Sequence, residues 1–228
     1  MPDFQEILFK LSIMALPALL AITLHEAAHG YAALKFGDRT AQMLGRLSLN
    51  PLRHIDPVGT VLLPMTMFIF TGFMFGWAKP VPVDFRNLRN PKRDMIWVAA
   101  AGPGANFVLA FVSALLLHIA PLVPEFMSEW MVNNLLVSLQ FNVLLALFNL
   151  IPLPPLDGGR VLVGILPMRA ARAVSRIEPY GIGILMLVVF LIPFAASHAG
   201  FDFNPLFMVL RPATDWVMGL IVSIAGLT

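Results

Sequence analysis

No cysteine occurs anywhere in the 228 residues. Disulfides are therefore excluded, and so are thiolate metal ligands; any metal must be held by His, Asp or Glu. Charge is scarce as well. Asp, Glu, Lys and Arg supply 12% of the chain, about half of the ~25% usual in soluble domains. The net charge is only +2, and no basic cluster is interleaved with aromatic residues, which argues against a nucleic-acid partner. What remains is apolar: 58% of the residues are hydrophobic, and they gather in long runs. This pattern predicts an all-α polytopic protein embedded in a lipid bilayer.

The apolar runs cover roughly 5–36, 58–77, 95–119, 131–152, 180–197 and 203–227, giving five to six transmembrane segments. The last contains Arg211, Pro212 and Asp215 and reads as a short or tilted helix. The first does not read as a cleavable signal: Asp3 and Glu6 precede it, and no small-x-small site closes it. No internal repeat stands out, and residues 1–228 read as a single integral membrane domain.

The polar loops differ in basic content. Loop 37–57 holds Arg39, Arg46 and Arg53; loop 78–94 holds Lys79, Arg86, Arg89, Lys92 and Arg93; loop 157–179 holds Arg160, Arg169, Arg172 and Arg176. Loops 118–130 and 198–204 hold no Lys or Arg. The positive-inside rule puts the first three in the cytoplasm and the other two outside a cell membrane. Segment 58–77 then begins and ends on one side. That predicts a re-entrant or broken element, which Gly59, Pro64, Gly72 and Gly76 permit; the alternative is a plain crossing with one loop that defies the charge rule. Between Ala41 and Asn50, the alternation Leu47-Ser48-Leu49 and the interruption by Gly45 predict a short strand at the membrane surface.

His25-Glu26-Ala27-Ala28-His29 lies inside the first apolar run. Positions i and i+4 share a helix face, so the two imidazoles can hold one Zn²⁺. Glu26 beside them is placed to take a proton from water. A catalytic zinc usually has three protein ligands, and His54, Asp56, His118, Asp157 and His198 are the candidates for the third. His118, His198 and Asp202 fall at external ends, whereas His25 and His29 lie toward the cytoplasmic half, about two turns from Lys35. Asp157 suits best. It follows a helix broken by Pro152, Pro154 and Pro155 and precedes Gly158-Gly159, and exposed backbone at membrane depth is tolerated only against protein or a water-filled cavity. The other reading makes Asp157 the cap of a helix that starts near Arg160.

These two motifs, His25-Glu-Ala-Ala-His29 and Asn149-Leu-Ile-Pro-Leu-Pro-Pro-Leu-Asp157-Gly-Gly, resemble the site-2 protease family of intramembrane zinc metalloproteases. Asn50-Pro-Leu-Arg-His54-Ile-Asp-Pro-Val-Gly-Thr60, Gly76-Trp-Ala-Lys-Pro-Val-Pro-Val83 and Ala101-Gly-Pro-Gly-Ala-Asn106 extend the likeness to its compact prokaryotic branch without a PDZ domain. It spans about residues 20–165. The resemblance implies a catalytic core of three helices (about 5–165, with the C-terminal segments at about 180–227 outside it). It implies one Zn²⁺ held by His25, His29 and Asp157, Glu26 as the general base, and transmembrane proteins as substrates. Asn149 matches an asparagine proposed to bind substrate or stabilise the oxyanion; an interhelical packing bond is the alternative. Asn106 and Asn142 are expected to pack the bundle. His54 is expected as a partner near the metal, a transient ligand, or a loop residue capping backbone; His118 and His198 as ordinary interfacial histidines.

A helical substrate must unwind locally before hydrolysis, and an edge strand from 41–50 could receive it by strand addition. Two other functions compete. A metal-ion transporter would use the His/Asp cluster as its transport site, but the paired repeats common in transporters are missing and Glu26 would be idle. A catalytically silent scaffold is opposed by the retained His, Glu, His and Asp. Oligomeric state is not legible.

Overall fold

A computed structural model describes residues 4–63, 65–66, 76 and 78–227. Among the described residues five helices are long and apolar enough to cross a bilayer: Leu8–Phe36, Pro91–Leu122, Glu125–Asn149, Glu178–His198 and Pro205–Ile224. The chain is an all-α, multi-pass membrane protein. Helix α1 (Phe4–Phe36) has 33 residues and so is about 50 Å long, more than a bilayer core of about 30 Å requires. A short α2 (Thr40–Met43) follows it. Helix α3 (Pro91–Leu116) runs on as a 3-10 turn to Leu122, and α4 (Glu125–Asn149) returns antiparallel to it.

Helices α1, α3 and α4 pack against one another pairwise as a three-helix bundle. Small residues make this possible. Ala21, Ala27 and Ala33 of α1, Ala99, Gly102, Ala110 and Ala114 of α3, and Ala146 of α4 are all buried. Lipid is as apolar as leucine, so such helices are held by close van der Waals approach and interhelical hydrogen bonds rather than by hydrophobic burial.

Pro152, Pro154 and Pro155 end α4, as the sequence implies. The chain then re-enters helix at α5 (Asp157–Ile165), followed by α6 (Met168–Ser175), α7 (Glu178–Met186), a π turn through Leu191, α8 (Ile192–His198) and α9 (Pro205–Ile224). Arg211 and Pro212 do not interrupt α9. It is continuous, with Asn204 accepting from the Phe207 N–H at its start, and it packs Ile221 and Ala225 against Ala110, Leu139 and Val143.

One expectation is corrected. Residues 41–50 form no strand; the described residues contain none. Thr40–Met43 is a helical turn and Gly45 turns with φ +63. Side chains then satisfy the nearby carbonyls in place of a partner strand. Arg46 donates to the carbonyls of Arg53 and Lys79, Arg53 donates to Gly45 O, and His54 Nε2 bonds Ser48 O at 2.8 Å. Such side-chain bonds compete with ladders. The re-entrant expectation for 58–77 falls largely outside the described residues; within them, Pro57–Leu62 is a π-helical turn capped by Asp56.

Candidate metal centre

His25 and His29 stand one turn apart on α1, and Asp157 is the first residue of α5. Asp157 Oδ2 lies 3.2 Å from His25 Nε2 and 3.2 Å from His29 Nε2, and the two Nε2 atoms are 3.1 Å apart. A tetrahedral Zn²⁺ with ligands at about 2.0–2.1 Å spaces them roughly 3.3–3.4 Å apart, so the triangle fits that ion.

The protonation pattern follows from a chain of hydrogen bonds with fixed ends. Asn142 Nδ2 donates to the Ser138 carbonyl at 2.9 Å, so its Oδ1 is the atom facing Asn106. Asn106 Nδ2 donates to that Oδ1 at 2.8 Å and to the Ala21 carbonyl at 3.2 Å. Asn106 Oδ1 must then accept, and it receives His25 Nδ1–H at 2.6 Å. His29 Nδ1–H donates likewise to the Val98 carbonyl at 2.7 Å. With their protons on Nδ1, both rings turn bare Nε2 lone pairs toward a carboxylate oxygen. Asp157 Oδ2 is buried and has no donor. Three acceptors converging without a proton among them is unfavourable unless a cation sits between them.

Glycines let the parts come this close. A Cβ on Gly102 would overlap His29 Nε2 and lie 2.7 Å from His25 Cε1; one on Gly158 would overlap the Leu150 carbonyl. The glycine pair after Asp157 thus presses α5 onto the proline-rich turn and delivers the carboxylate to α1. Asp157 caps no helix end with its side chain; it faces the histidines.

The cluster opens on a cavity of about 280 Å³, lined among others by Glu26, Val81, Asn149 and Arg160. Glu26 Oε2 accepts the Val81 N–H at 2.8 Å. Val81 gets there because Gly30 has no side chain: a Cβ there would meet Val81 Cγ1 and Leu47 Cδ1 at 2.8 Å. The strap carrying Val81 is anchored by Asp38. Its buried carboxylate accepts from the Asp84 N–H, the Asn87 amide, and the hydroxyl and N–H of Thr40. Burial alone raises that carboxyl's pKa, but these donors outweigh it and lower the value. Asp84, on the surface, is held down at about 2 by Arg86.

Among the described residues, His25, His29 and Asp157 are the group of His, Asp or Glu side chains placed to share an ion. Asn149 lines the cavity, but its amide donates to Leu145 O one turn back at 3.0 Å rather than to another helix. His54 is not in that group; it is buried in its own loop against Ser48 O. His118 ties the end of the Pro91–Leu122 span to the Ala225 carbonyl, and His198 bonds Phe194 O on α8. Asn106 and Asn142 bridge helices as expected, yet Asn106 also orients His25. That role lies in a contact between residues 81 apart, which no local motif encodes. Val81's hold on Glu26 was missed for the same reason.

Comparison with known proteins agrees with this geometry. Residues 118–192 match the model of peptidase family M50. The Bacillus subtilis (strain 168) protein named "Putative zinc metalloprotease YwhC" is 38% identical over 200 residues, covering 81% of this chain and 84% of that one. The Mycolicibacterium smegmatis protein named "Putative zinc metalloprotease Rip2" is 33% identical over 185 residues, covering 81% of this chain and 68% of its own length. A Methanocaldococcus jannaschii protein, named "Putative zinc metalloprotease MJ0611", is 27% identical over 163 residues, with 71% and 73% covered. No solved structure matches.

Proposed function

The chain belongs to peptidase family M50, and from that footing we propose that it cuts transmembrane segments of other membrane proteins, with His25, His29 and Asp157 as zinc ligands and Glu26 as the general base. The enzyme is an intramembrane zinc metalloprotease. One observation supports the site assignment above all: three proton-free ligand atoms 3.1–3.2 Å apart share one cavity with a glutamate.

Zn²⁺, when bound, supplies Lewis acidity that polarises a scissile carbonyl and acidifies water. The protein's own groups do the rest. Asn106 and Val98 fix the two rings in the tautomer that leaves Nε2 free. Glu26 takes a proton from water as the hydroxyl adds to the carbonyl carbon, and returns it to the leaving amine as the C–N bond breaks. The Val81 N–H occupies Oε2 of Glu26 and, among the described residues, no group donates to Oε1. Asn149, whose amide makes one bond among the described residues, to Leu145 O, has a second hydrogen to offer a developing oxyanion. The basic loops support a site toward the cytoplasmic face of a cell membrane, and the packing of α9 on the core of α3 and α4 supports reading residues 1–228 as one unit.

Glu26→Gln tests this reading. The purified variant should keep one zinc per chain and lose cleavage of a model transmembrane substrate; unimpaired cleavage would sink the assignment. His29→Ala should lose the metal as well.

A further inference from the structure

A second cavity, of about 690 Å³, lies beside α6 and the start of α3. Its size falls within the roughly 300–1,000 Å³ of small-molecule sites. Phe85, Met95, Met168 and Ala171 give it apolar walls, while Lys92, Arg172 and Arg176 stand at its rim. Arg86 is there too, but it is already paired with Asp84 at 2.8 Å. Among the described residues no carboxylate lines the cavity, and neither Arg172 nor Arg176 has an acidic partner.

Helix α6 explains the pattern. Arg169, Arg172 and Arg176 recur at i, i+3 and i+7 and form a cationic stripe. Met168 and Ala171 line the cleft beside it. A short amphipathic helix of this kind lies in a membrane interface with its basic edge toward the headgroups. The exposed Ile165, Met168 and Tyr180 around it continue the lipid-facing surface. Lys92 Nζ donates to the Leu166 carbonyl at 2.5 Å, which leaves Arg172 and Arg176 as the cations without an acidic partner among the described residues. An apolar slot with such a rim, at the edge of a bilayer, complements one class of molecule: an amphiphile with an anionic head.

We propose that this cleft binds an anionic phospholipid, its phosphate at Arg172, Arg176 and Lys92 and part of an acyl chain against Phe85, Met95 and Met168. The site adjoins the catalytic cavity, because Phe85 lines both and Arg160 stacks over its ring at 4.9 Å. Lipid occupancy therefore packs a wall of the protease site.

The test is binding, independent of proteolysis. Full-length protein in neutral detergent is titrated with phosphatidylglycerol and, in parallel, with phosphatidylcholine, and bound lipid is counted by native mass spectrometry. One phosphatidylglycerol should be retained, and phosphatidylcholine at least tenfold more weakly. Arg172→Gln with Arg176→Gln should weaken retention about tenfold or more, as should the cleft-filling Ala171→Trp. Arg39→Gln with Arg93→Gln removes equal charge at exposed positions outside the cleft and the stripe and should leave retention unchanged. Equal loss in both double variants overturns the site in favour of plain surface charge, and retention in a folded Ala171→Trp protein overturns it too. Full competition by inorganic phosphate would replace the lipid with a free anion. An acidic peptide bound in preference to phosphatidylglycerol would make the cleft a protein-docking site instead. The double arginine variants alter exposed side chains, so the result stands even where Ala171→Trp does not fold.

Discussion

The bundle of α1, α3 and α4 and the arm formed by α7 and α8 are both apolar helical structure, yet they are built by opposite rules. The bundle buries alanines, glycines and a polar chain from Ser138 to His25. Among the described residues the arm buries only Gly181, and its Phe194 and Leu191 face outward. Hydropathy cannot separate the two, because both pass as membrane spans. What separates them is residue size and side-chain amides: helices that must touch need small residues and hydrogen bonds, and helices that face lipid need neither.

Substitutions that add one methyl group in the bundle should break this contrast most strongly. Gly102→Ala puts a carbon onto His29 Nε2 and should lower zinc affinity by roughly 100-fold, measured by chelator competition. Asn106→Leu comes next. It strips His25 Nδ1–H and Asn142 Oδ1 of partners, which should cost about 10–100-fold in zinc affinity and about 1–3 kcal/mol in stability. Asn106→Asp keeps an acceptor for His25 and should recover most of the affinity; equal losses in both would reduce Asn106 to a packing residue. Gly181→Ala probes a close approach of the arm to the proline-rich turn, since its Cβ would overlap the Pro154 carbonyl. Thermal unfolding should show a loss of about 1–3 kcal/mol with zinc content intact.

Asp38 gives a smaller, pH-dependent effect. Its folded pKa lies below the ordinary 3.8, so its contribution is complete above that value and fades as pH falls through the lower folded one. Asp38→Asn should lower the melting temperature at neutral pH and narrow its gap to the wild type as the medium is acidified below 3.8. Phe194→Ala, on the exposed face of the arm, should change stability by no more than about 0.5 kcal/mol.

The cluster of His25, His29 and Asp157 was legible in the sequence because its pattern is local: a helical i, i+4 pair, and a carboxylate set between a proline break and two glycines. Spans were legible from apolar runs, though α4 begins at Glu125 rather than 131, since Glu125, Ser128 and Glu129 dilute the first turns. The strand at 41–50 was misread because Leu47-Ser48-Leu49 alternates, while the deciding bonds come from Arg46 and Arg53 reaching back to backbone carbonyls. Links such as Asn106 to His25 and Val81 to Glu26 depend on how helices and straps meet, and nothing in either neighbourhood announces them.

The amide file behind His25 also limits where a proton can travel. Asparagine side chains neither gain nor lose protons in the working range, so the two amides interrupt any relay between His25 and the hydroxyls of Ser138 and Ser113 beyond them. It orders the imidazole yet conducts no charge, so the side of the site toward the bundle interior is insulated. A hydrolase buried in a membrane then need not leak protons through this part of its core.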